Sequence, residues 1–258
     1  MEIPRLAILP SPRRGSETLS PPPRERMSDR DDHTTLFRQS WSIYDAIAAE
    51  NYMFHREIYE IVTRQLEGRT ALGPYTLLDL GCGNARFLAP SLQAAPPARY
   101  LGVDLSPTAL SEARDYLDGL DSVSLHEDDM VGFVAMSGAK PDIIFTGYAV
   151  HHLPSASKAR LFEACAAALA PGGEMLMVDV ARKEEQDRDT YIAAYLKLMR
   201  DGWTAVPAAM IEEACAHVAA HDFPETLGGL FEMATAAGFS SAELLDHYGP
   251  HHLIRFSI

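Results

Sequence analysis

Short apolar runs alternate with stretches of helical periodicity through most of the chain. The runs fit strands at Thr76–Leu80, Arg99–Asp104, Ser122–His126, Ile143–Thr146 and Glu174–Val180, and the residues between them repeat their apolar positions at helical spacing. Such alternation predicts an α/β fold, a doubly wound and mostly parallel sheet with helices on both faces. Ahead of the first strand, apolar positions recur at Ile43, Ile47, Tyr52, Ile58, Ile61 and Val62, and no Pro or Gly interrupts residues 34–66. One bent helix or two short ones are expected there. About 45 residues separate Val180 from Thr226, more than the few that commonly join a strand to a helix. Residues 189–200 and 208–220 are helical in pattern, so residues 181–225 read as an inserted helix pair. It serves either as extra packing or as a lid, and insertions at the carboxyl ends of parallel strands lie where ligands bind.

Composition narrows the picture. A chain of 258 residues with 47% hydrophobic content can bury one full core. Residues 29–258 are therefore expected to form one domain. A formal charge of −14 disfavours nucleic acid, whose phosphates are bound by Lys and Arg. Cys82, Cys165 and Cys215 are odd in number and widely separated, the usage of a cytoplasmic protein with reduced thiols and no cysteine metal site. No apolar run reaches membrane-spanning length. Residues 1–28 are rich in Pro and Arg, read as a disordered extension, and place Met27 as a candidate natural start.

The chemistry concentrates at Leu77-Leu78-Asp79-Leu80-Gly81-Cys82-Gly83-Asn84, where a strand enters a glycine turn, while the next strand ends on Asp104. Glycines permit a sharp turn and close backbone approach, and a carboxylate at that strand end suits the two hydroxyls of a ribose. A dinucleotide fingerprint would place a third glycine where Arg86 stands, and Asp79 would repel a phosphate yet attract an ammonium. A ligand with a ribose and an amino group but no phosphate fits.

These residues, D-L-G-C-G followed by V-D-L-S, resemble the class I S-adenosylmethionine-dependent methyltransferases of small-molecule type. Asp128-Asp129-Met130 resembles the family's adenine-binding acid, Pro141 to Phe145 its fourth strand, and Leu169 to Glu174 the turn before its fifth. The resemblance implies a seven-stranded sheet whose last strands, Ala242–His247 and Leu253–Ser257, include an antiparallel one. It also implies S-adenosylmethionine as cofactor and S-adenosylhomocysteine as product. The turn Asp79 to Asn84, with Gly81, Cys82 and Gly83, would face the methionine moiety, with Asp79 near its amino group. Asp104 would take the ribose, Leu105 would pack on adenine, and Asp129, or equally Asp128, would accept from the adenine amino group beside Met130.

Position by position, the acceptor side is less defined. Where amino-methylating relatives carry N/D-P-P-Y or -F, this chain has Gly147 and Tyr148, which argues against DNA or glutamine as substrate. Tyr148, His151 and His152 follow the fourth strand near the expected methyl. A neutral imidazole can take a proton from an acceptor, which makes His151 or His221 a candidate base, with Asp222 beside His221 in the presumed lid. Tyr44 and Tyr52 on the preceding helix could contact the acceptor. His221, Asp222, His251 and His252 could also converge on a metal, although no metal spacing is present and none is expected. The reading is methyl transfer to O, N or S of a small molecule, with a small thiol a real contender. A protein substrate and a non-catalytic cofactor-binding subunit are the alternatives. Oligomeric state is not legible.

Overall fold

The computed structural model describes residues 43–44 and 46–258. The extension over 1–28, the start at Met27 and the first part of the helix expected from Thr34 lie outside the described residues. Residues 46–49 are helical, and a turn then leads into α1 (His55–Thr70), which buries Ile58, Val62 and Leu66 at four-residue spacing. The turn holds Asn51 and Phe54 at positive φ, 58° and 56°.

The sheet follows the predicted alternation: β1 (Thr76–Leu80), α2 (Ala89–Ala94), β2 (Arg99–Asp104), α3 (Pro107–Tyr116), β3 (Val123–Glu127), α4 (Met130–Met136), β4 (Ile143–Gly147), α5 (Ser155–Ala168) and β5 (Glu174–Arg182). The inserted pair is α6 (Arg188–Gly202) and α7 (Ala208–His221). The chain then runs through β6 (Glu225–Thr226), α8 (Leu227–Ala237), β7 (Ser241–Tyr248) and β8 (His251–Ser257).

Strand order is β3-β2-β1-β4-β5-β8-β7, with β6 beside β5 off that path. β1 to β5 are parallel, and β8 is antiparallel to both β5 and β7. The sheet thus has eight strands, not the seven expected. β5 continues past Val180 to Arg182, and the chain returning from the insertion pairs two residues against that extension, Glu225 with Ala181 and Thr226 with Arg182.

Successive residues in each strand face opposite sides, so the core divides in two. Leu77, Ile143, Leu176 and Val178 pack beneath α1, and Leu78, Ile144, Met175 and Met177 pack against α5 and α8. The strand order reverses between β1 and β4, which opens a crevice at their carboxyl ends. Two ties fix the insertion over that edge. Arg188 donates to the carbonyls of Asp222 and Ala219, both at 2.7 Å. Lys158, buried in α5, holds the Phe223 carbonyl and lies 3.3 Å from Glu225. No described helix is long and apolar enough to cross a membrane.

Candidate active site

Asp79 lies on the α1 face of β1, fully enclosed, and accepts a hydrogen bond from the Tyr100 hydroxyl at 2.7 Å. Burial pushes its carboxyl up to about 7, Tyr100 pulling it down and Asp104 adding to the rise. Past it, Gly81 and Gly83 take φ of 69° and 51°. A Cβ on Gly81 would stand 2.5 Å from that of Ala149, so only glycine lets the turn pass the end of β4.

The turn's N–H groups are already spent. Gly81 and Cys82 donate to the Val103 carbonyl at 2.8 and 3.0 Å, and Gly83 donates to Asp104 Oδ2 at 2.8 Å. Asp104 Oδ1 accepts from the Ser106 N–H at 2.8 Å, which fixes the carboxylate at the mouth of the crevice. A phosphate would find no amide nest and a carboxylate beneath it, whereas a phosphate-free nucleoside with an ammonium fits this set.

Of the other donor-side candidates, Leu105 projects into solvent with 62% of its surface exposed, and Met130 reaches to 3.8 Å from where a Gly81 Cβ would lie. Asp129 caps α4, its Oδ2 accepting from Gly132 N–H at 2.7 Å, and Asp128 accepts from Asp129 N–H. Both acids are exposed at the same edge. Cys82 is buried, and Asn84 turns away toward α3, donating to Glu112.

On the acceptor side, aromatic rings from four segments meet. Tyr148, held at φ 54°, donates its hydroxyl to the Met53 carbonyl at 2.6 Å, with the rings of His55 and His251 at 5.1 and 5.6 Å. Tyr44 bonds His55 Nε2 at 2.8 Å. Tyr52 stacks on Trp203 at 5.3 Å and accepts from the Ala205 N–H, which joins the segment before α1 to the α6–α7 connection.

Three buried polar atoms in this cluster have no hydrogen-bond partner: His55 Nδ1, His251 Nδ1 and the Tyr191 hydroxyl. Buried atoms of this kind are paired in most proteins, so their grouping marks a place for a ligand. Burial, with help from Arg86, lowers His55 to about 4. Burial and then His55 lower His251 to about 3. Both imidazoles are neutral at pH 7. A groove of about 450 Å³ between α1 and the loop after the glycine turn reaches His55, Tyr59, Arg86 and Phe87.

His151 sits apart from that group. Its N–H and Nδ1 both face Asp179, at 3.0 and 2.5 Å, and its Nε2 lies 3.8 Å from Asp222. Burial lowers its pKa, but Asp179 and Asp222 outweigh this and raise it to about 9, so the ring is charged at neutral pH. A charged ring between two carboxylates is not a base. His221 is exposed at the end of α7 while Asp222 turns inward, which separates the pair proposed from the sequence. His152 is half-buried, 3.3 Å from Asp222. The structure brings His151, His152 and Asp222 together, with His251 and His252 on β8 outside that group.

Sequence reasoning missed Tyr191 and Asp179, and it named His251 only as a possible metal ligand or general histidine and did not single out His55. Asp179 had a legible signal, an acid inside the apolar run Met175 to Ala181. The grouping of Tyr191 with His55 and His251 carried none, because it depends on how α1, α6 and the β7–β8 hairpin fold over one edge.

A family model described as a methyltransferase domain matches residues 77–173. Over 100 residues the chain is 34% identical to trans-aconitate 2-methyltransferases from Acidovorax sp. (strain JS42) and Methylobacterium nodulans, covering 39% of this chain and 36% of each relative. The match thus spans about a third of the length of those curated relatives. Among solved structures, magnesium protoporphyrin IX methyltransferase from Synechocystis PCC 6803 with bound SAH superposes with a TM-score of 0.60 at 15% identity, over 89% of this chain and 97% of that one. An O-methyltransferase family 2 protein from Planctomyces limnophilus in complex with apigenin gives 0.52 at 18% identity, over 71% and 49%. These structural likenesses speak for the fold, while the sequence match covers the strands and turns that build the crevice. Taken with the strand order and the placement of Asp79, Gly81 and Asp104, they identify residues 77–173 as similar to a methyltransferase domain, within a fold shared with S-adenosylmethionine-dependent methyltransferases.

Proposed function

We propose that this chain transfers a methyl group from S-adenosylmethionine to a hydroxyl of a small molecule, releasing S-adenosylhomocysteine. The observation that carries the acceptor reading is the pair of buried, neutral histidines with unpartnered Nδ1 atoms, His55 and His251, whose rings both lie within 5.6 Å of the Tyr148 ring. A hydroxyl must lose its proton as it is methylated, and a thiol needs less help because part of it is already thiolate near neutral pH. Two imidazoles with an unpartnered, unprotonated nitrogen can take up that hydrogen, which favours oxygen over sulfur, burial making each a weaker base than a solvated histidine.

Asp79 would hold the donor's ammonium, Asp104 its ribose, and Asp128 or Asp129, with Leu105 and Met130, its adenine. When bound, the sulfonium supplies an electrophilic methyl whose carbon–sulfur bond breaks as the new bond to oxygen forms. The acceptor's proton passes to the Nδ1 of His251 or His55. Tyr148, its hydroxyl committed to Met53, positions the two rings and does not donate. Tyr44 orients His55, and the Tyr52–Trp203 stack closes the insertion over the site, excluding water.

The test is incubation with methyl-labelled donor and a panel of phenols, alcohols, carboxylates, thiols and amines. Label should appear in a hydroxyl compound, and replacing both His55 and His251 by Gln should cut kcat on the order of 10²–10⁴-fold with little change in donor affinity. Product formation equal to the parent would remove the two bases. Label in thiols alone would move the acceptor to sulfur, label retained on protein would name a protein substrate, and no transfer with intact donor binding would leave a binding subunit.

A further inference from the structure

We propose that His151, His152 and Asp222 form a binding site for one divalent transition-metal ion of the Zn²⁺ type, which fastens the end of the inserted helix pair to the sheet. The three side chains come from two segments, the turn after β4 and the residue following α7, and their ligand atoms lie within 4.8 Å of one another. His151 Nε2 is 3.8 Å from Asp222 Oδ2, and His152 Nδ1 is 3.3 Å from Asp222 Oδ1. Ligand atoms 2.0–2.1 Å from a tetrahedral centre stand about 3.3 Å apart, so the His152–Asp222 pair already has that spacing and the remaining pairs, all within 4.8 Å, close by up to about 1.5 Å when an ion binds.

Two further features point to an ion. Asp222 is 4% exposed, yet its Oδ1 makes no regular hydrogen bond; that oxygen faces His152, and Oδ2 faces His151. His151 Nδ1 is held at 2.5 Å by the buried Asp179 carboxylate. That bond fixes the ring so that Nε2 faces Asp222, the carboxylate–histidine–metal arrangement that orients a ligand and raises its basicity. Binding exchanges the proton on His151 Nε2 for the ion. Two nitrogens and one carboxylate leave a fourth position for solvent and suit Zn²⁺ or Co²⁺ better than Mg²⁺, which takes oxygen ligands. The site is independent of the acceptor's identity.

The test uses the full-length, untagged protein, stripped with chelator and titrated with Zn²⁺ or Co²⁺. One ion per chain should be retained, and the visible Co²⁺ spectrum should show the intensity of a four-coordinate site. Asp222→Asn and His152→Ala should each weaken binding at least tenfold, and Asp179→Asn, which acts through His151, roughly 10–100-fold. Replacing the stacked pair His247 and His252 by Ala should leave the stoichiometry at one. If Asp222→Asn does not fold, His152→Ala decides, because its ring is one-third exposed. No retained ion overturns the proposal, as does binding unchanged in His152→Ala or binding abolished only in the His247/His252 variant.

Discussion

Asp79→Asn should make the metal-free, ligand-free protein more stable, by an amount that depends on pH. The parent carboxyl is enclosed and raised to about 7, against a value near 3.8 in the unfolded chain. Between those values the native state keeps a proton that the unfolded state has released, so parent stability falls by about 1.4 kcal/mol for each pH unit. Over the three units the loss reaches about 4 kcal/mol, complete above the folded pKa and absent below about pH 4. Asn does not titrate and can still accept from the Tyr100 hydroxyl. Urea denaturation of parent and variant at intervals from pH 5 to pH 8.5 should show the variant's advantage growing with pH and then levelling. Titrations of groups that do not sense the Asp79 charge cancel in the difference. Saturating S-adenosylmethionine should reverse the order near pH 8, because the parent alone can pair its carboxylate with the donor's ammonium. A stability difference that stays constant with pH would refute the enclosed, proton-retaining carboxyl and the role built on it.

Tyr100→Phe removes the hydrogen bond that lowers Asp79, so the pH of half-maximal donor binding should move upward, as calorimetry at several pH values would show; an unmoved midpoint contradicts the pairing. Gly81→Ala adds a Cβ at 2.5 Å from Ala149 and strains a positive φ, which should cost about 2–4 kcal/mol in thermal or urea unfolding. Pairing it with Ala149→Gly should recover part of that loss, and a strictly additive double variant would show that the clash is elsewhere. Trp203→Ala empties a buried site and should cost about 3–5 kcal/mol while raising proteolytic cleavage between α6 and α7. Lys158→Met leaves the Phe223 carbonyl without its donor and Glu225 with Arg182 alone, 4.0 Å away, and should destabilise by about 3 kcal/mol, read from the denaturation midpoint.

Five parallel strands were legible because each is a short apolar run ending at a turn, and the observed boundaries of β1 and β2 coincide with those read from Thr76–Leu80 and Arg99–Asp104. The crevice was legible for a related reason: Asp79, Gly81, Gly83 and Asp104 lie within 26 consecutive residues, so their roles follow from local backbone geometry. β6 was not, since two residues carry no periodicity and its pairing exists only once the insertion has returned to β5. The acceptor side resisted for the same reason on a larger scale. His55 and His251 are 196 positions apart and come near Tyr148 only after α1 packs on one face of the sheet and β8 pairs beside β5. The sequence favoured His221, for its neighbour Asp222, over His151; the structure places His151 buried between two carboxylates and His221 exposed.

Because β8 runs against its neighbours, the turn joining it to β7 lies at the carboxyl edge of the parallel strands, with Tyr248 stacked on Phe54 and His251 opposite Val180. One wall of the acceptor side is thus supplied by a hairpin tip that shares no residue with the stretch from Asp79 to Met130. Substitutions at that tip would redraw one boundary of the proposed acceptor side and leave the donor crevice intact, the other boundaries being set by Tyr44, Tyr52, Tyr148 and Trp203.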